Sequence, residues 1–389
     1  MKELKNEVYA ELTKRILPFW MKMKDEKNGG FFAKVTFNLE IDKRAHKGVI
    51  ALSRILWTFS ASYNELREEK CLEMAHHAYD FLKKKGKDEQ DKGLFSLLDY
   101  KGNPVDTRKH IYVQAFGIYA LSEYYKATKK KETLDFALDL YYIIKEKGYD
   151  YNTKAYKEEF SKDWIERSNE MLSENGVIAD ITMNTHLHVL EAYTNLYSIW
   201  PDKQLKEDLI DLVYTFSDKF YDKESKFLRV FLNKEWQSII DLKSFGHDIE
   251  ASWLIDEAVK LLRIEDIRIN QMIMDLAYNI ADYAIQRDGS LINEEEKGII
   301  DYTRVWWVQA EALVGFLNIY EKKKDEKIAL IIKNLWLYIQ ENIVDHREGG
   351  EWFYSIEGDG HPTKREIVEP WKAPYHNSRS CLEIIKRLA

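Results

Sequence analysis

Apolar positions recur every three to four residues over helix-length stretches of this chain, in two alternating styles. One style keeps its apolar residues on a single face, as in LKEDLIDLVYTFSDKF. It predicts six water-facing helices at roughly 3–23, 68–85, 131–147, 203–221, 264–286 and 325–344. The other style is apolar almost all round, as in VQAFGIYALSEYY (113–125) and VQAEALVGFLNIY (308–320), and predicts buried helices. Polar residues mark where these buried helices start: Arg54, the His110/Tyr112 pair, Asn184, His247, Arg304 with Trp307, and His376. Alternation of this kind is the mark of a repeat architecture.

The links from buried to exposed helix are short (64–67, 126–130, 198–202), whereas the links back are long. The long ones, such as NGGFFAKVTFNLEID (28–42), GLFSLLDYKGNPVD (93–106), SKFLRVFLNKEWQS (225–238) and GGEWFYSIEGDGHPTK (349–364), alternate apolar residues around Gly, Asn and Pro and predict hairpins. They must gather at the end where the buried helices start. The expected fold is therefore all-α, an (α/α)6 barrel of six inner and six outer helices with short β-hairpins at one rim, spanning 1–389 as a single catalytic domain. An open superhelical solenoid is the structural alternative, with a groove in place of a pocket. Inner-helix N-termini at the rim offer free N–H donors and a positive dipole end to hydroxyl-rich or transiently anionic ligands.

Composition sharpens this picture. Aromatic residues reach 13% (Trp 11, Tyr 24, Phe 17), enough for a large core and a stacking surface besides. A net charge of −8 argues against a nucleic-acid partner, and acids interrupt the basic runs KKKGK and KKKE. The charged N-terminus reads as neither signal peptide nor membrane span. A cytoplasmic monomer acting on a neutral small molecule is expected. Cys71 and Cys381 each fall inside a helical pattern and read as buried thiols.

Several side chains could do chemistry. His247 and Glu250 are three apart, so the carboxylate could orient the imidazole as a general base. His376 opens another helix with Arg379 three residues on, and Trp371 and Pro374 just before it. Asn184 and His188 share a face; His186 points elsewhere. The His-Leu-His spacing could suggest a metal, but no Cys or carboxylate set completes it, so no metal is expected. Arg54 suits either a ligand or a loop carboxylate. Trp307 and Glu311, four apart, suit an aromatic platform beside a polar anchor, and core packing would account for the tryptophans equally. His110 and Tyr112 are weaker candidates, and His76/His77 read as surface.

Two histidines at equivalent places in a repeat suit inversion at a carbon acid next to a carbonyl, one base taking a proton and the other returning one on the opposite face. The enediolate between them needs donors such as Arg54, Asn184 or His188, and no cofactor. A glycosidase would instead need two carboxylic acids ~5–10 Å apart. A non-catalytic carbohydrate-binding scaffold would bind without turnover.

The strings NGGFF, RILWTFSA, KHIYVQAFGIY, MNTHLHVLEAYTNLY, GHDIEASWL, WWVQAEA and WKAPYHN together resemble the cellobiose 2-epimerases of the N-acylglucosamine 2-epimerase superfamily, over essentially the whole chain. The resemblance implies an (α/α)6 barrel and reversible epimerisation at C2 of the reducing-end glucose of β-1,4 disaccharides, cellobiose to glucosyl-mannose and lactose to epilactose. It implies His247 and His376 as the acid/base pair and His188 in ring opening. It implies Arg54 and Asn184 on the reacting oxygens, Tyr112, Glu250 and Glu311 shaping the site, and Trp307 and Trp371 stacking the sugar rings. Aldose-ketose isomerases and N-acylglucosamine 2-epimerases of the same superfamily remain alternatives. Ala373 stands where Cys is expected and Ser378 where Gly is common.

Overall fold

The computed structural model describes residues 1–171 and 176–388. α1 (Lys2–Glu11) continues through one π-type turn, Leu12–Ile16, into α2 (Leu17–Lys22). There follow α3 (Val49–Leu66), α4 (Glu69–Phe81), α5 (Ile111–Thr128), α6 (Lys131–Ile143), α7 (Met183–Tyr197), α8 (Lys203–Thr215), α9 (Phe245–Leu262), α10 (Ile267–Tyr283), α11 (Trp306–Lys323), α12 (Glu326–Tyr338) and α13 (Tyr375–Arg387). With α1 and α2 counted as one outer helix, the predicted alternation of six outer and six inner helices holds. The inner helices pack in sequence, α3 on α5, then α7, α9, α11 and α13, and α13 packs back on α3. That last contact makes a closed (α/α)6 ring and excludes the solenoid.

Burial follows the two hydrophobic styles. Every residue of α5 from Ile111 to Tyr124 is buried, whereas α8 buries Leu205, Asp208, Leu209, Leu212 and Val213 along one stripe. One apolar core runs from Leu4 to Ile385, and a satellite of Ala179, Val230, Phe231 and Leu242 lies under the rim loops. The short inner-to-outer turns pass through left-handed residues, Arg67, Lys129, Arg263 and Lys324, whose charges also suit the negative end of a helix dipole.

The long connections are stitched together at the other rim. The two or three residues before each of five inner helices form a strand that pairs antiparallel with the next connection round the ring: Lys47–Gly48 with Leu97–Leu98, Lys109–His110 with Glu159–Phe160, Ile181–Thr182 with Phe231–Leu232, Leu242–Ser244 with Glu294–Glu296, and Arg304–Val305 with Ser355–Ile356. A bridge between Val35 and Val368 closes the circle. The lead-in to each inner helix is thus held by its neighbour's loop, which fixes where the first helical side chains point.

Two positions in the inner helices carry this design. The fourth residue of α5, α7, α9 and α11 grips a loop backbone. Gln114 accepts from Leu94 N and donates to Leu94 O, and Gln309 does the same with Leu291, which explains the shared V-Q-A string. His186 accepts from Tyr156 N and Asp248 from Leu228 N at the same place in α7 and α9. The sixth residue is Arg54, Phe116, His188, Glu250 or Glu311 in α3, α5, α7, α9 and α11. At 3.6 residues per turn it lies one turn below the second. Arg54 therefore stands on the second turn of α3, not at its start, because the helix already begins at Val49. His76 and His77 are also less free than expected, bonding Tyr124 Oη and Gly30 O.

Candidate active site

At the stitched rim a cavity opens that is lined by Arg54, Tyr112, Asn184, His188, His247, Glu250, Trp307, Trp371 and His376, nine of the ten residues singled out above. Trp306, Tyr354 and Lys372 complete it. His247 and His376 share one wall feature, for their rings lie 4.8 and 5.5 Å from the ring of Trp307. Gly246 makes room for that indole: a Cβ there would sit 2.6 Å from it.

Each imidazole is held by its Nδ1, leaving Nε2 for the cavity. Glu311 holds His376 at 2.7 Å and Glu191 holds His188 at 2.8 Å. Ser244 Oγ holds His247 at 2.7 Å. The expected pairing of His247 with Glu250 does not form, because Glu250 is drawn across the barrel to Arg379 at 2.5 Å. Nor does Glu311 line the cavity beside Trp307; it is fully buried behind His376, and Trp253 Nε1 donates to it at 3.1 Å.

Arg379 is the hub of this buried layer. Its Nη2 meets both Glu250 and Glu311, its Nη1 meets Glu191, and its guanidinium plane lies over the rings of Tyr375 and Trp253. Glu250, Glu311 and His376 are close enough together to suggest a cation site. The guanidinium already fills that role.

The hub sets the protonation of its neighbours. Burial works against the charge of Glu191, but Arg379 and the His188 bond bring its carboxyl down to about 2. Burial raises Glu250 well above the carboxylate range, with Glu311 adding like-charge repulsion. Burial pushes His247 down to about 3, aided by repulsion from His188, and lowers His376, aided by Arg379. Burial thus favours the neutral form of each imidazole, the form that accepts a proton, and bound substrate decides which of the two carries one.

Arg54 donates to Trp371 O at 2.7 Å and to Tyr112 Oη at 2.9 Å, fixing the Trp371 loop over the cavity mouth. Its Nε, like Asn184 Oδ1, is buried with no protein partner. Unsatisfied buried polar atoms are costly and mark a place where a ligand can bond. His110 does not line the cavity; it caps α5 by accepting from Tyr112 N. Arg304 turns away to Ser290, Asp288 and Tyr302 O.

The sequence profile described as N-acylglucosamine 2-epimerase (GlcNAc 2-epimerase) matches residues 30–380. The chain belongs to the N-acylglucosamine 2-epimerase family. Within this family it is 46% identical to the cellobiose 2-epimerase of Dictyoglomus turgidum over the whole of both chains, and 44% identical to that of Ruminococcus albus over 98% of each. The solved structure of cellobiose 2-epimerase from Bacillus thermoamylovorans B4167 superposes over all of both chains, with 57% identity and a TM-score of 0.98. As a member of this epimerase family the chain is a carbohydrate isomerase.

Proposed function

We propose that the chain is a cellobiose 2-epimerase that works through an enediolate, His247 and His376 exchanging the proton at C2 from opposite sides. The observation that carries this reading is the placement of both imidazoles against Trp307 in one cavity, each tethered by Nδ1. After the sugar ring opens, with His188 assisting, one Nε2 takes the C2 proton and the C1 carbonyl becomes an enediolate oxygen. Arg54 and Asn184 stabilise that oxygen. The second imidazole, carrying a proton on Nε2 beforehand, then returns that proton to the opposite face of C2. The step balances without a cofactor: one proton leaves C2 and one returns, the two imidazoles swap protonation states, and exchange with solvent resets them.

Trp307 and Trp371 serve as stacking surfaces for the two sugar rings, lactose giving epilactose as cellobiose gives glucosyl-mannose. The whole chain, 1–389, acts as one catalytic unit, a monomer in the cytoplasm. Hydrolysis by a carboxylate pair is disfavoured, because Glu250 is the one carboxylate among the lining residues and Arg379 already holds it. Turnover of cellobiose in D2O tests the proposal. Glucosyl-mannose should carry deuterium at C2, and product without it would rule out exchange through the imidazoles.

A further inference from the structure

Three imidazoles face the candidate cavity, yet they are not held alike. His188 and His376 rest on carboxylates, Glu191 and Glu311, whereas His247 rests on the neutral hydroxyl of Ser244. Ser244 ends the strand Leu242–Ser244 and is the residue immediately before α9, with extended backbone (φ −100°, ψ 97°). A serine there normally accepts from an N–H of the first helical turn, a bond worth about 1 kcal/mol. Thr182 does this at the equivalent place before α7, accepting from Thr185 N, and Asp202, Asp266 and Asp325 do it for α8, α10 and α12. Ser244 makes no such bond. Its Oγ has left the helix end to hold His247 Nδ1, a local rule broken at a functional site.

We propose that Ser244 is the positioning residue of His247, a neutral acceptor that keeps Nδ1 protonated and Nε2 directed into the cavity without lending the imidazole an anionic partner. This rests on the reading that His247 exchanges the C2 proton. A hydroxyl can accept from Nδ1–H of both the neutral ring and the imidazolium, so the tether survives both halves of the reaction. Glu311 favours the imidazolium of His376, and the two bases are thereby made unequal.

The groups that face His247 are His188 from α7, Glu311 from α11 and His376 across Trp307 from α13, with Glu250 one turn along its own helix. Ser244→Ala should lower kcat about 10–100-fold, by analogy with losing the hydrogen-bond partner that orients a metal-ligating imidazole, with KM changed less than about twofold. Ser244→Thr, which keeps the hydroxyl, should restore most of kcat. Ser244→Asp should move the acid limb of the kcat/KM profile to higher pH, since an anion beside an imidazole raises its pKa.

A kcat and pH profile unchanged in Ser244→Ala would overturn the proposal, as would a loss that Ser244→Thr fails to repair. Should Ser244→Ala not fold, Ser244→Asp, which keeps an oxygen acceptor beside His247 Nδ1, decides it, and an unmoved acid limb would overturn the proposal. Wild type in D2O is the control: absence of deuterium at C2 would overturn the epimerase mechanism itself. Deuterium in wild type with an indifferent Ser244→Ala would overturn only the role of Ser244.

Discussion

Replacing Glu311 by Gln changes one atom in the layer behind His376. The carboxylate has three partners that approach as donors: His376 Nδ1 at 2.7 Å, Arg379 Nη2 at 2.7 Å and Trp253 Nε1 at 3.1 Å. Trp and Arg can only donate, and two carboxylate oxygens offer about four acceptor sites. An amide offers one oxygen and turns an N–H2 toward at least one of those donors. An unsatisfied buried donor costs about 1–3 kcal/mol, and losing a bond to a charged group about 1.5–3 kcal/mol. We expect Glu311→Gln to lose roughly 3–5 kcal/mol. With an unfolding entropy of about 0.8 kcal/mol/K for a chain of this length, the melting temperature should fall by about 4–6 °C. Turnover should fall much further, about 10²–10⁴-fold, because His376 loses the partner that holds its proton on Nδ1. Thermal melts by circular dichroism and an NMR time course with cellobiose measure both. Activity within about threefold of wild type and an unchanged melt would refute the reasoning. Glu311 would then carry a proton of its own and donate it to His376.

Gly246→Ala should drive Trp307 out of place, since the new Cβ would lie 2.6 Å from its ring; steady-state kinetics should show a loss of kcat of about tenfold or more, and wild-type kinetics would count against the indole as the common wall of both histidines. Asp248 stands where Gln114 and Gln309 stand in their helices and accepts from Leu228 N, and burial raises its carboxyl well above the usual range, favouring the neutral form. The stability it contributes is full below the unfolded value near 4 and is lost as pH rises toward its folded value. Asp248→Asn should therefore flatten the decline in melting temperature as pH rises above about 4, and an unchanged decline would contradict this. Burial pulls His110 and His186 down to about 4, so their neutral forms stabilise the fold above pH 6.5 and this is lost as pH falls toward 4, at about 1.4 kcal/mol per pKa unit each. Melting temperature should drop across that window, and His186→Gln should lessen the drop.

How much of this was legible beforehand differs between scaffold and site. The helix alternation and the gathering of long loops at one rim follow from periodicity and loop length, and the nine lining residues from helix starts and resemblance, because burial on one face writes itself into spacing; the pairing of each lead-in strand with the next connection does not. The partners of the imidazoles do not. Glu250 is three residues from His247 on one helix, but spacing says nothing of a guanidinium arriving from α13 with five donors. Ser244 looks like an ordinary helix cap until its hydroxyl is seen on His247. Tyr354 reaches the cavity from a hairpin whose register depends on pairing with Arg304–Val305. The glycine before His247 was the one available signal that a large ring packs there.

Isotope exchange in single-histidine variants bears most directly on two imidazoles working from opposite sides of C2. His247→Asn and His376→Asn should each abolish epimerisation in D2O. Each should still exchange the C2 hydrogen of one epimer, and the two variants should exchange different ones. If both exchange the same epimer, or either continues to interconvert glucosyl-glucose and glucosyl-mannose, the opposed pair is not the machinery of the reaction.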